Sequence, residues 1–166
     1  MELKTATVYL GLGTNKGEKQ QNLLQAMDYI SQRLRIEKKS SMYDTEPVGE
    51  INQPHFLNMV CKVTTTLPPV MLLATLKGIE SKMGRLPKHP ANSPRIIDID
   101  ILLYGDEVVD TPDLKIPHPR LAERAFVLVP LAEIAPDLVH PVLKQSIKDL
   151  LVLIQNNTQG VLKLKF

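Results

Sequence analysis

The chain has 166 residues, 43% of them hydrophobic and 23% charged, an ordinary composition for a folded domain able to bury its own core. Its net charge of +2 is too small to argue for nucleic acid as a partner, and its single cysteine, Cys61, excludes an internal disulfide framework. Met1-Glu2-Leu3-Lys4 does not resemble a signal peptide and no apolar run approaches the roughly 20 residues that span a bilayer, so one cytoplasmic domain over residues 1–166 is expected.

From Thr7 to Leu12 the residues alternate, with Val8, Leu10 and Leu12 on one face and Tyr9, Gly11 and Gly13 on the other. This is a strand whose second face is nearly bare backbone. Gly11 to Gly17 invites a phosphate-loop reading, but Lys16 stands where the dinucleotide fingerprint needs glycine, and no Walker Gly-Lys-Ser/Thr follows. A tight strand-to-helix turn is the preferred reading. From about Glu18 a helix is predicted, with Leu23, Leu24, Met27, Ile30 and Leu34 at near-helical spacing.

Arg35 to Tyr43 reads as a second strand, and Asp44 to Pro54 as a loop. Phe56 to Thr65 is a third strand, with Leu57, Met59, Cys61 and Val63 in one apolar row and Phe56, Asn58, Lys62 and Thr64 opposite. Cys61 is thereby a core thiol rather than a nucleophile. A helix from near Pro68 to Gly84 buries Leu72, Leu76, Ile79 and Met83. Leu86 to Ser93, with Pro87 and Pro90, is a second loop.

The next strand, Ile96 to Ile101, closes at Gly105. Ile97, Ile99, Ile101 and Leu103 point one way and form an apolar face. Asp98 and Asp100 point the other way, roughly 6.5–7 Å apart along the strand. Like charges on one strand face repel. Either a divalent cation compensates, since such ions take one or two carboxylates plus phosphate oxygens, or the face is simply solvated.

The element order so far is strand, helix, strand, strand, helix, strand. That predicts an α+β fold, the ferredoxin-like βαββαβ sandwich with an antiparallel sheet and both helices on one face. The other face stays open and carries Tyr9, Gly11, Gly13, Phe56, Asn58, Asp98 and Asp100, so the active site is expected there and in the adjoining loops. Downstream, a hairpin is predicted around Thr111-Pro112-Asp113, then a partial helix over Pro119–Ala135 interrupted by Pro130. A short helix over Ile147–Ile154, a turn over Asn156–Gly160, and a final strand alternating Leu162, Leu164 and Phe166 complete the chain.

Lys82, Arg85, Lys88, His89 and Arg95 flank the aspartate strand, with His118 and Arg124 further on. A triphosphate with magnesium needs such a surround, carboxylates for the metal and arginines for the oxygens. Four scattered histidines and one cysteine give no zinc spacing, and no serine or cysteine nucleophile with a histidine partner is evident.

Gly13-Thr14-Asn15, Tyr43-x-Thr45-x-Pro47-x-Gly49, Gln53-Pro54-x-Phe56-x-Asn58 and Pro94-Arg95-x-x-Asp98-x-Asp100-Ile101-x-Leu103-x-Gly105 occur in this order. Pro117-His118, Arg124-x-Phe126 and Pro130-Leu131-x-Glu133-Ile134-x-Pro136 follow. From about Thr7 to Pro141 the chain closely resembles the hydroxymethyl-dihydropterin pyrophosphokinases of folate biosynthesis. The resemblance implies transfer of the β,γ-pyrophosphoryl group of ATP to the hydroxymethyl oxygen of a reduced pterin, with release of AMP. It implies that Asp98 and Asp100 hold two magnesium ions, and that Arg85 and Arg95 neutralise phosphate charge. His118 and Arg124 then bind the triphosphate, and Lys77, Glu80, Ile101 and Lys115 occupy nucleotide-contacting positions. Thr45, Val48, Phe56, Asn58 and Phe126 match the pterin pocket, where two phenyl rings sandwich the heterocycle. A monomer acting on ATP and 6-hydroxymethyl-7,8-dihydropterin is expected, without nucleic acid or membrane. Pro87 and Asn92 depart from the family pattern, which often has arginine and tryptophan at these positions.

Two other classes compete. A nucleotidyltransferase also sets Asp-x-Asp on a strand, but releases pyrophosphate. An RNA-binding ferredoxin-like module stacks bases on aromatics of its open face, for which two central acids are badly suited.

Overall fold

The computed structural model of the chain describes residues 4–47, 52–84, 94–157 and 160–164. Two long alternating strands organise it. β1 (Ala6–Thr14) runs antiparallel to β4 (Phe56–Thr65) and, on its other side, to β5 (Asp98–Tyr104). β4 in turn pairs with β2 (Arg35–Lys39) and β3 (Tyr43–Thr45), and β3 takes β8 (Val161–Lys163) on its outer edge. The main path across the sheet is therefore β5-β1-β4-β3-β8, antiparallel throughout.

The rows expected under the helices are there. Val8, Leu10 and Leu12 of β1 join Leu57, Met59, Cys61 and Val63 of β4, and Ile99 and Ile101 of β5. Above them lie α1 (Lys19–Ser31), through Leu23, Ala26 and Ile30, and α2 (Pro69–Lys82), through Leu72, Leu76 and Ile79. Each leucine sealed here contributes about 1.5–3 kcal/mol relative to an exposed one. Leu24, predicted on the buried side of α1, is instead 48% exposed.

Four expectations are corrected. Arg35–Tyr43 is two strands, because Ser40 interrupts the ladder: its Oγ accepts the Val60 N–H at 2.9 Å, and its own N–H donates to the Val60 carbonyl at 2.8 Å. Leu103 does not continue the isoleucine row. The pairing of β1 with β5 skips Leu102, with Tyr9 opposite Leu103 and Leu10 opposite Ile101, so Leu102 and Leu103 both pack on the second face while Tyr104 returns to the first.

That second face is also only partly open. α3 (Ala125–Ile134) and α4 (Ile147–Leu153) cover one end of it, packing Val127, Leu128, Leu131, Ile147 and Leu150 on Tyr9, Val60, Leu102 and Leu103. An apolar patch of that size needs a cover. Finally, Pro130 lies inside α3 without ending it. Among the described residues no helix is long and apolar enough to cross a membrane.

The predicted hairpin is β6 (Val109–Asp110) with β7 (Lys115–Ile116), and Ser146 caps α4 by accepting the Asp149 N–H at 3.2 Å. The Leu86–Ser93 loop, Phe166, and the candidate residues Val48 and Arg85 lie outside the described residues.

Candidate active site

Register places the site. β1 sets Gly13 opposite Asn58 of β4 on one side and opposite Asp98 of β5 on the other, with Gly11 opposite Asp100. Asn58, Gly13 and Asp98 thus form a row across three strands. The middle member has to lack a side chain: a Cβ on Gly13 would stand 2.5 Å from Asn58 Oδ1. The glycines that make the strand face bare are the floor on which the polar groups lie.

Asn58 is buried and donates from Nδ2 to Thr45 Oγ1 at 2.6 Å, so β3 and β4 jointly fix the amide. Phe56 lies one step along the same face of β4, and Phe126 enters from the first turn of α3. The Arg124 guanidinium stands 5.4 Å from the Phe126 ring centroid, within cation–π range.

At the acidic end, Arg95 Nη1 donates to Asp98 Oδ2 at 2.9 Å, while the Arg95 Nε is buried with no hydrogen-bond partner. Asp100 is exposed on the same face. Burial lowers the pKa of His118; Asp100 pulls the other way, and Arg124 and Arg120 add to the lowering. Its Nδ1 accepts the Arg120 N–H at 3.2 Å, which leaves Nε2 to carry the proton of the neutral ring. Burial and the neighbouring Arg120 also lower Arg124, opposed by Asp100 and Glu123; a guanidinium stays charged regardless.

These groups line one cleft of about 440 Å³. Of the residues singled out from the sequence, Thr45, Phe56, Asn58, Lys77, Arg95, Asp98, Asp100, His118, Arg124 and Phe126 meet there. Glu80, Ile101 and Lys115 do not line it. Glu80 is buried under the sheet, where its Oε2 accepts the N–H of Ile99, the residue between the two aspartates, at 2.8 Å. Ile101 is a core side chain, and Lys115 pairs with Asp110 on the hairpin.

Asn15, without a role legible in the sequence, is 1% exposed and braces three segments. Its Oδ1 accepts the Arg95 N–H at 2.7 Å, and its Nδ2 donates to Gln53 Oε1 at 3.1 Å and to the Pro54 carbonyl at 3.2 Å. The available signal was an asparagine in the turn of a Gly-Thr-Asn motif. That turn is a strand-to-helix connection, with Gly17 at φ 76° and Asn22 Nδ2 donating to Thr14 Oγ1 and the Lys16 carbonyl.

Among the described residues no group of three or more His, Cys, Asp or Glu side chains gathers to hold a metal. Asp98 and Asp100 supply two carboxylates, so a hard cation between them draws its remaining oxygens from water or from a bound phosphate. The orphaned donor of Arg95 and the other cations that line the cleft suit that phosphate.

Residues 9–136 match the family model described as 7,8-dihydro-6-hydroxymethylpterin-pyrophosphokinase. The chain is 45% identical over 144 residues to the 2-amino-4-hydroxy-6-hydroxymethyldihydropteridine pyrophosphokinase of Aquifex aeolicus, covering 87% of this chain and 89% of that protein. It is 43% identical over 128 residues to the Bacillus subtilis protein of that name, covering 76% of each. Among solved structures, the Plasmodium falciparum HPPK-DHPS with pteroate matches 100% of this chain at 18% identity with a TM-score of 0.79. The present chain spans 47% of that longer one, and the likeness shows a shared fold.

Proposed function

The chain belongs to the 7,8-dihydro-6-hydroxymethylpterin-pyrophosphokinase family, and we propose that its cleft carries that family's reaction with the residues placed there. The enzyme transfers a pyrophosphoryl group from ATP to the hydroxymethyl group of 6-hydroxymethyl-7,8-dihydropterin in folate synthesis. The hydroxymethyl oxygen forms a bond to the β-phosphorus, the bond from that phosphorus to the α,β-bridging oxygen breaks, AMP leaves with that oxygen, and the hydroxyl proton passes to solvent. The observation that carries this reading is the meeting, in one cleft, of an acidic pair over bare glycine backbone, a set of cations, an amide and two phenyl rings.

Asp98 and Asp100 are the residues that would hold two magnesium ions, whose bound charge offsets that of the triphosphate and polarises its phosphoryl oxygens. Arg95, Lys77, His118 and Arg124 bind phosphate oxygens, and the family resemblance assigns the same role to Arg85, which lies outside the described residues. Phe56 and Phe126 stack the pterin, Thr45 completes its pocket, the resemblance assigns Val48 to the same pocket, and the Asn58 amide offers both a donor and an acceptor to the pterin edge. With Nδ2 given to Thr45, the free selectivity of Asn58 lies in its remaining N–H and its Oδ1. No side chain needs to act as a strong base. Alignment of the hydroxyl with the phosphorus and neutralised charge supply most of the effect.

Glu80 and Ile101 have side chains turned into the core, so nucleotide contact at Ile101 is by backbone, and Glu80 acts by holding Ile99 between the aspartates. Lys115, exposed on the hairpin, reaches the nucleotide only by leaving Asp110. The order β5-β1-β4 with β2 and β3 beyond supports a ferredoxin-like scaffold with α3, α4 and β8 added. A monomeric, cytoplasmic, single-domain enzyme without membrane partner is the form proposed, and the small net charge supports the absence of nucleic acid.

Product analysis tests the reading. Purified protein with ATP, magnesium and the reduced pterin is expected to yield AMP only when pterin and metal are both present. Chelation, or replacement of Asp98 or Asp100 by alanine, is expected to abolish AMP formation with little change in Tm, since neither side chain faces the core. Release of pyrophosphate with nucleotide attached to the acceptor would assign a nucleotidyltransferase instead.

A further inference from the structure

The Pro130-Leu131-x-Glu133-Ile134 stretch has a polar member with no place in the cleft, and that member ties together the two walls of the pterin pocket. Glu133 lies on the last turn of α3, at the far end from Phe126. Its carboxylate takes three donors, two from Ser41 between β2 and β3 and one from Tyr43, the first residue of β3. The Ser41 N–H reaches Oε1 at 3.0 Å and Oε2 at 3.2 Å, the Ser41 hydroxyl donates to Oε2 at 2.9 Å, and the Tyr43 hydroxyl donates to Oε1 at 2.5 Å. Beside it, Lys38 Nζ donates to the Ile134 carbonyl at 3.3 Å, so the same helix end is held twice by the same sheet edge.

What this fastens is specific. β3 is only three residues long, and its last residue, Thr45, is the partner of Asn58. α3 carries Phe126 and, at its N-cap, Arg124. Apart from these polar contacts, α3 meets the sheet through Val127, Leu128, Leu131 and Ile134, and apolar contacts are non-directional. They hold the helix down without fixing how far it slides along the sheet. Hydrogen bonds to a charged acceptor are directional and stronger than neutral ones. Glu133 is exposed, yet three donors converge on it, and their grip shows in its chemistry. Although burial raises its pKa, the bonds from Tyr43 and Ser41 and the charge of Lys163 more than offset this, and its pKa lies below the ordinary carboxylate value.

We infer that Glu133 is a positioning residue for the pterin, setting α3 against β3 so that Phe126 stands at the right height over the Thr45–Asn58 pair. The inference rests on the pterin reading of the cleft. Glu133 touches no substrate itself. Its effect falls mainly on the pterin, because the acidic pair on β5 is anchored through β1 and α2 instead, and only Arg124, at the α3 N-cap, carries part of it to the phosphates.

The test is titration of the reduced pterin, and separately of ATP with magnesium, into wild type, Glu133→Gln and Tyr43→Phe, with Tm recorded for each. Glutamine keeps the shape but replaces one acceptor oxygen by a donor that faces the Ser41 and Tyr43 donors. The expected result is pterin affinity lower by about tenfold in Glu133→Gln, as loss of about 1.4 kcal/mol would give, and ATP affinity lowered distinctly less, through Arg124 alone. Tyr43→Phe, which leaves the Ser41 bonds in place, should show a smaller shift in the same direction. Unchanged pterin affinity in both variants, or equal weakening of pterin and ATP alongside a fall in Tm, overturns the inference and leaves the functional reading standing. If Glu133→Gln does not fold, Tyr43→Phe alone decides in the same way. Wild type that binds no reduced pterin removes the functional reading itself. These outcomes need no turnover, so the two failures are told apart.

Discussion

Gly13 has neighbours on both sides that cannot retreat. Asn58 is pinned through Thr45, and Asp98 through Arg95. A methyl group at Gly13 meets Asn58 Oδ1 at 2.5 Å, closer than a real Cβ contact allows, so the amide has to swing and the 2.6 Å bond to Thr45 breaks. Gly13→Ala is therefore expected to lower pterin affinity by at least about tenfold while leaving ATP binding near normal, as two separate titrations would measure. Equal pterin affinity in the variant would mean that Asn58 is not the recognising group. Asn15 and Glu80 are residues of another kind: both are buried, Asn15 fixing the N–H of Arg95 itself and Glu80 that of Ile99, between Asp98 and Asp100.

At the scale of elements, the legible parts were those governed by alternation and helical spacing. The rows of β1 and β4, the Leu72–Leu76–Ile79–Met83 stripe and the meeting of Asp98 and Asp100 with Asn58 all follow from period. What failed depended on a neighbour. The bulge at Leu102 exists because β5 must fit β1, and nothing in Ile101-Leu102-Leu103 reports that pairing. The break at Ser40 comes from a side chain competing for the Val60 N–H, and the cover over the second face from helices far along the chain. Glu80, given a nucleotide-contacting position by the resemblance, lies buried, because the Ile99 N–H takes its carboxylate as an acceptor, and only the fold reveals that partner.

The connection from α3 to α4 also has an element-scale device. His140 is buried, and its Nδ1 accepts the N–H groups of Val142 at 3.1 Å and Leu143 at 3.0 Å. Burial lowers its pKa from 6.5. Above about 6.5 the ring is neutral whether the chain is folded or not, so no pH dependence arises there. Below it, the unfolded chain binds the proton first, and folded stability falls with pH until the lowered folded value is reached. Tm is expected to decline between about pH 7 and pH 5, and the decline should be shallower in His140→Asn, whose side chain can still accept in a turn. The remaining slope belongs to His118, whose pKa is lowered in the same direction. An identical decline in the variant would take His140 out of the account.

Taken whole, the molecule is one sheet with a separate apolar cluster on each face, and β4 serves both, sending Cys61 into one and Val60 into the other. The cleft opens where the second face escapes its cover, between the first turn of α3 and the ends of β3, β4 and β5. Neither cluster can be dismantled without disturbing the strand that carries Asn58.

Cys61 gives that arrangement a clock. It is the one cysteine of the chain, fully buried mid-strand, with its thiol pushed up to about 12 by burial. A thiol in that state offers a modifying reagent almost no thiolate and no path of approach. The rate at which a small disulfide reagent labels the native protein should therefore track the opening of β4 itself, and should stop rising once reagent is in excess. Fraying of the edge strands or movement around the cleft leaves that rate untouched, so labelling as fast as that of the unfolded chain would mean the sheet centre is not closed. Without any engineered residue, the protein reports its own deepest opening.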